Sequence, residues 1–177
     1  MHRHLLRILL ASGLAASPGF LVAQTRAIDP VRVPIELQQM AARAGTIFSG
    51  RVVSILPTRP ASAGGVATVT ISFQVEDAVR GVKSGQNFSF REWAGLWSAG
   101  PRYFVGQHLM LFLYAPSVLG LTSPIDGRSG VLSIDTQGRV LLPPRQRSPG
   151  FTRSAQTAPA SFRAKDVAIA LRRIGED

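Results

Sequence analysis

The sequence predicts an all-β domain built on a small, closed or nearly closed sheet. Apolar residues alternate strictly with polar residues over residues 67–75, and a period of two is typical of a half-buried antiparallel strand. Residues 108–114 are mostly apolar on both faces, as expected of a strand that is covered on both sides. The two segments together predict the fold class, but neither points to a chemistry.

A short helix is expected before the first strand. Pro34 can occupy the first turn of a helix, where its missing N–H costs nothing, and residues 35–44 carry an apolar stripe at helical spacing. Gly45 favours termination of this helix. The first strand is expected over Thr46–Leu56, and Gly50 inside it indicates a bulge or a sharp bend.

Five further strands are expected along the chain, which gives about six in total. Segments rich in glycine and proline separate several of them, and Asp135–Gly138 fits a hairpin connection between the last two. The five strands are predicted at Val66–Glu76, Asn87–Trp93, His108–Tyr114, Ser129–Ile134 and Arg139–Leu142.

The sequence after the last strand divides into two parts. Residues 143–160 contain almost no apolar side chains and cannot bury enough surface to offset their ordering entropy, so we expect a disordered linker. Residues 161–177 are expected to form a short amphipathic helix capped by Ser161, which should either dock on the sheet or fray. Its apolar face would consist of Val167, Ala170, Leu171 and Ile174.

The first 23 residues have the pattern of a secretory signal peptide. A basic start is followed by an apolar run and small residues, with the expected cleavage between Ala23 and Gln24. The alternative is a retained membrane anchor, which the short apolar run and its Ser, Gly and Pro interruptions disfavour. We therefore expect a periplasmic or extracellular protein with no membrane span after cleavage and a β domain over residues 24–142.

Composition narrows the classes of protein that fit. The formal net charge is +10, and the part left after signal cleavage is divided equally between residues 24–142 and the tail at 143–177. This division indicates a solvated surface and an arginine-rich tail rather than a nucleic-acid-binding face. The chain has no cysteine, so disulfide and thiolate chemistry are excluded and the apolar core must hold the domain alone.

Several motifs occur in the order found in a known module. A helix ending in Ala-Arg-Ala-Gly precedes the strand Thr46–Val53, a second strand closes in Val79–Lys83, and the apolar segment Phe104–Leu113 is followed by Gly130–Leu132. The pattern resembles exported bacterial proteins similar to the OB-fold domain of tissue inhibitors of metalloproteinases and netrin-like modules. The resemblance implies a five- to six-stranded Greek-key barrel of OB type. Those inhibitors chelate the target zinc through an N-terminal cysteine, which this chain lacks, so that mechanism is not carried over.

No catalytic or metal-binding pattern stands out after the signal segment. His108 is the single histidine there and has no second ligand at metal-binding spacing, which favours a structural role. Glu76 and Asp77 are neighbours on a strand and so point to opposite faces. We expect no enzymatic activity and no cofactor.

One aromatic and basic cluster has the character of a binding site. Two tryptophans, a tyrosine and two arginines around a glycine-rich loop can stack a sugar ring or a base, or anchor a protein partner. The cluster consists of Arg91, Trp93, Trp97, Arg102 and Tyr103. The competing interpretation is that Trp93 closes the barrel and Trp97 caps its open end.

We therefore expect an exported, non-catalytic binding module whose partner is an unknown exported protein or a glycan. A second hypothesis is a secreted or periplasmic hydrolase inhibitor that acts through loops at Pro57–Gly65 and Ala94–Arg102. A third is an oligonucleotide- or oligosaccharide-binding OB domain, for which export and the modest charge of the barrel make nucleic acid unlikely as a ligand.

Overall fold

The computed structural model describes residues 33–60, 64–142 and 161–175. The strands are β1 Thr46–Thr58, β2 Thr68–Arg80, β3 Asn87–Trp93, β4 His108–Leu113, β5 Val131–Ile134, β6 Arg139–Leu141 and β7 Ser161–Arg163, and the helices are α1 Ile35–Arg43 and α2 Ala164–Ile174. Within these residues the strands form one antiparallel sheet in the order β3-β2-β1-β4-β5-β6-β7. The predicted signal segment with its Ala23–Gln24 cleavage site and the predicted linker at 143–160 lie outside the described residues.

The β-rich fold class with a leading and a trailing helix is confirmed, but the strand count of five or six is wrong for the described part of the chain. The seventh strand, β7, pairs with β6 through only three residues, too few to produce a readable period. It occupies the position where a helix N-terminus was expected, so α2 begins at Ala164 and Ser161 is not its cap. None of the helices in the described ranges is long and apolar enough to cross a membrane.

The central strands are buried on both faces, as the sequence predicted for the fourth. Every residue from Leu109 to Leu113 is buried in β4. On one face Met110 and Phe112 belong to a core shared with both helices, and on the other Leu109 and Leu111 belong to an aromatic core. Burial on both sides explains why this segment carries no polar alternation.

The aromatic core lies on one side of the sheet. It is built from the inward residues of β1 to β4, and the rings of Phe48 and Phe73 meet edge to face with centroids 5.3 Å apart. Phe73 also stacks on Phe90 at 5.9 Å. These contacts come from alternate positions of neighbouring strands, so the period of two in the sequence becomes one continuous apolar surface.

The predicted irregularity at Gly50 is confirmed. The pairing register between β1 and β2 shifts between Ser49 and Gly50. A Cβ atom at Gly50 would lie 2.4 Å from the carbonyl oxygen of Gln74, so the two backbones approach more closely than any side chain permits. The bulge lets β1 curve between the two cores.

Helix α2 docks on the sheet beside α1. Val167, Ala168 and Leu171 are buried in the core that also contains Leu37 of α1. Of the predicted apolar face, Ile174 instead lies 46% exposed. The docking is secured by polar contacts as well, since Arg172 Nε donates to a β2 carbonyl at 2.7 Å.

The hydrogen-bonded sheet is not closed: its order ends at β3 on one side and β7 on the other. Two isolated bridges nevertheless carry the β4–β5 connection back towards the β3 edge. Pro124 bridges antiparallel to Leu113 of β4, and Leu121 bridges parallel to Arg91 of β3. The backbone N–H of Thr122 also donates to the Arg91 carbonyl at 2.9 Å.

Candidate functional site

A single carboxyl group lies inside the aromatic core at the end of β3. The alternation of β3 turns Phe88 and Phe90 towards the core, and the next residue in that register is Glu92. The side chain of Glu92 is fully buried. A charged side chain is almost never buried in this way without partners, so the groups around it define the site.

Three side chains from the segment between β3 and β4 converge on this carboxyl. Tyr103 donates its hydroxyl to Glu92 Oε1 at 3.0 Å, and the indole N–H of Trp97 donates to Oε2 at 2.9 Å. Arg102 Nε forms an ion pair with Oε2 at 3.1 Å. Both oxygens therefore have partners, and the rings of Trp97 and Tyr103 pack with centroids 5.8 Å apart.

The electrostatics of the cluster follow from its burial. Loss of hydration raises the pKa of Glu92 above its ordinary value, while the charge of Arg102 and the hydrogen bonds from Tyr103 and Trp97 oppose the rise. Burial, together with the neighbouring carboxyl, raises the pKa of Tyr103 far above its usual value. The phenol therefore stays protonated and acts as a donor, which suits a structural hydrogen bond rather than acid–base exchange with solvent.

This cluster fixes the β3–β4 loop, residues 94–107. The first part of the loop is a short 3-10 turn at Ala94–Trp97, and its middle is held through Arg102 and Tyr103. At its far end the N–H of Gly106 donates to Val52 O at 2.8 Å. Because the β3–β4 loop is held at both ends and in the middle, little conformational freedom is left to lose when it binds a partner.

The five residues singled out in the sequence do not form one site. Trp97, Arg102 and Tyr103 meet at Glu92, whereas Arg91 and Trp93 have exposed side chains on the opposite face of β3. Arg91 donates to the carbonyl of Leu119 at 2.9 Å, which ties down the β4–β5 connection. Trp93 is 53% exposed and lies over Gly95, so it does not close the core, while Trp97 does cap it.

A cleft of about 140 Å³ opens next to the cluster. It lies between the β3–β4 loop and β5, with Tyr103 and Val131 contributing its apolar lining. Its polar lining consists of Arg102, Gln107, Arg128 and Ser133. Two arginines thus line one small cleft, which is referred to below as the arginine cleft.

A second polar cluster lies around His108, the histidine predicted to be structural. Glu76 Oε2 lies 2.8 Å from His108 Nε2, and Glu76 Oε1 lies 3.1 Å from Arg51 Nε. Burial lowers the pKa of His108, although the Glu76 carboxylate opposes this. Across the described ranges, no three His, Cys, Asp or Glu side chains come together as a metal-binding group.

Glu92 is the important residue that the sequence analysis missed. Its neighbours Arg91 and Trp93 were selected for their chemistry, although the alternation of β3 places them on the outer face. The signal that identifies Glu92 is register: it follows Phe88 and Phe90 at a spacing of two, so it must share their buried side. An acidic residue in that register requires donors nearby, and the following loop contains several.

Comparison of the whole chain with protein-family models, with curated proteins and with solved structures found no match.

Proposed function

We propose that this chain is an exported, non-catalytic binding module built on an OB-type barrel, and that it contacts its partner through the β3–β4 loop. The observation that carries the proposal is the clamp at Glu92. A fully buried carboxyl group, with a partner for each oxygen, holds Trp97, Arg102 and Tyr103 of the loop in place. Rigid scaffolds that present fixed loops are the usual basis of protein recognition.

The OB-type barrel is supported by the connectivity around β3. An OB fold is a partly open Greek-key barrel of five strands. Here β1 pairs with β2 and β4, β2 pairs with β3, and the chain after β4 bridges both β4 and β3. The antiparallel bridge at Pro124 and the parallel bridge at Leu121 link the β4–β5 connection to β4 and to β3, which supports a partly open barrel with β6 and β7 as an extension of the sheet.

The surface of the loop offers apolar contacts as well as polar ones. Phe104 and Val105 are adjacent and 60% and 65% exposed, on a turn that hydrogen bonds back to β1. Exposed aromatic and aliphatic side chains on a fixed turn are suited to anchor a protein partner. This favours a protein partner over an oligosaccharide, because Trp97 and Tyr103 are largely turned inward and Tyr103 is 1% exposed.

Binding is tested by capture from the exported fraction of the source organism. The mature chain is immobilised, and the double variant Phe104→Ser/Val105→Ser is compared with Val118→Ser/Leu119→Ser, which changes two apolar residues of another loop that are at least as exposed. We expect saturable capture of a discrete protein by the wild type and the control, and loss of capture by the first variant. Equal capture by all three, or none by the wild type, would contradict the proposal.

The identity of the captured protein separates the alternatives. A captured hydrolase that the module slows at stoichiometric concentration supports the inhibitor hypothesis, while a hydrolase bound without loss of activity supports a plain interaction module. Affinity for an oligonucleotide that falls steeply with salt would instead support the third hypothesis.

Export is tested separately by the mass of the mature protein. A periplasmic or culture-fluid product that begins at Gln24 supports the proposed cleavage after Ala23. A product that retains residue 1 in the membrane fraction would support the anchor instead.

A further inference from the structure

We propose that the arginine cleft binds a carboxylate side chain of the partner, so that the module recognises an acidic peptide segment with apolar neighbours. The inference rests on the proposed binding function and specifies the chemistry of its partner. The cleft places Arg102 and Arg128 in one space of about 140 Å³, with the amide of Gln107 and the hydroxyl of Ser133 beside them.

Both guanidinium groups have donors to spare. Glu92 contacts Arg102 through Nε and the Tyr103 hydroxyl lies beside the same guanidinium, so these two neighbours use only part of its five N–H donors. The side chain of Arg128 has neither an ion pair nor a hydrogen bond to any described residue. Planar guanidinium forks match a carboxylate in two parallel hydrogen bonds, which is the geometry that such unpaired donors offer.

The contact between Arg102 and Glu92 that fixes the β3–β4 loop also orients Arg102 in the cleft. Arg102 is 14% exposed and cannot swing freely into solvent, because its Nε is paired with the buried Glu92. Gln107 Oε1 accepts the N–H of Phe104 at 3.2 Å, which leaves its amide N–H groups as donors. An anion entering the cleft therefore meets oriented donors and does not bear the cost of ordering them.

The neighbourhood of the cleft favours a peptide over a free inorganic anion. Phe104 and Val105 lie in sequence between two cleft residues, Arg102 and Gln107, and are largely exposed. A ligand that fills the cleft with an acidic group can therefore place apolar side chains against this turn. Asp126, two residues before Arg128 in sequence, is paired with Arg43, so its charge already has a partner.

The test is an NMR titration of the ¹⁵N-labelled mature chain with two blocked pentapeptides. One has a central glutamate flanked by leucines, and the other has glutamine in its place. We expect the glutamate peptide to bind about tenfold more tightly or better, because hydrogen bonds to a charged acceptor are stronger than those to a neutral amide. The shifts should centre on the amides of Gln107 and Ser133, and the preference should weaken with salt.

Matched variants locate the effect. Arg128→Gln should abolish most of the preference for glutamate, whereas Arg139→Gln removes the same charge from an exposed position on β6 and should preserve it. Equal affinity for the two peptides, no binding of either, or equal behaviour of the two variants would overturn the inference. Stronger competition by inorganic phosphate than by the glutamate peptide would overturn the assignment to a carboxylate.

The two proposals fail separately. If the immobilised module captures a partner through Phe104 and Val105 but Arg128→Gln captures it equally well, the binding function stands and the carboxylate assignment is wrong. If no partner is captured but the glutamate preference depends on Arg128, the cleft is an anion site and the interaction module is wrong.

Discussion

Replacing Glu92 with alanine should reveal how strongly the clamp holds the domain together. The substitution leaves the buried hydroxyl of Tyr103 and the indole N–H of Trp97 without an acceptor and removes the counter-charge of Arg102. Leaving a buried donor unsatisfied costs about 1–3 kcal/mol, and removing one member of a buried ion pair costs about 3–5 kcal/mol. These contributions overlap because one side chain supplies all of them, so the expected loss is about 3–5 kcal/mol.

That loss is large compared with a typical unfolding free energy of roughly 5–15 kcal/mol. Urea unfolding followed by far-UV circular dichroism measures it without relying on the fluorescence of Trp97, which the substitution itself perturbs. The matched control is Glu76→Ala, which removes a strand carboxylate that is 39% exposed and paired at the surface. Its loss should stay below about 1 kcal/mol.

A milder variant keeps the test decisive if the alanine protein does not fold. Tyr103→Phe deletes only the hydroxyl that donates to Glu92 and retains the ring packed against Trp97. It should cost about 1–2 kcal/mol, the contribution of one hydrogen bond to a carboxyl group. If Glu92→Ala costs no more than Glu76→Ala, or Tyr103→Phe costs nothing, the carboxyl does not clamp the loop.

Three further outcomes follow from the structure. Because the pKa of Glu92 is raised in the folded chain, its carboxyl keeps a proton there that the unfolded chain releases, so its contribution to stability should fall as pH rises from about 4.5 through the folded pKa. The variant Glu92→Gln cannot titrate at this position and should not show that fall. Identical pH profiles of the urea midpoints of the two proteins would contradict this prediction. Gly50→Ala should destabilise by several kcal/mol, because its Cβ would meet a β2 carbonyl at 2.4 Å, while Gly138→Ala tests left-handed strain at φ +74° and should cost about 1 kcal/mol. Leu171→Ala should cost about 2–5 kcal/mol in thermal or urea unfolding, against near zero for the exposed Ile174→Ala; equal losses would mean that α2 is not docked.

The sequence predicts well those strands whose burial shows in the spacing of their apolar residues. Residues 67–75 alternate because β2 has one face on the aromatic core, and residues 108–114 do not because β4 is covered twice, so both strands could be located from their patterns. The bulge at Gly50 was also accessible, since a glycine inside a strand requires a reason. These features depend on neighbours in the chain.

What escaped prediction depends on partners distant in sequence. Strand β7 is defined by its ladder with β6 and not by any pattern of its own. Whether α2 docks depends on the apolar face that β1, β4 and α1 leave uncovered. Selection by chemical type found Trp97, Arg102 and Tyr103 but could not tell that Arg91 and Trp93 lie on the outer face of β3. The buried Glu92 between those two could be recognised only by following the register of β3 to its end.

The core shared by the two helices also has a consequence for the order in which parts of the protein can fold. Leu37 of α1 and Leu171 of α2 belong to the same core as Ile47 of β1 and Met110 of β4, although they lie near opposite ends of the described chain. Contacts this distant in sequence form late, since the loop between them must close first. The helix-side core therefore stays incomplete until residues 161–171 are present, and chains shortened to residue 160 should be digested rapidly by a protease that spares the full chain. The helix-side core can therefore form only after residues 161–171 have been made, whereas the aromatic core contains no residue of α2.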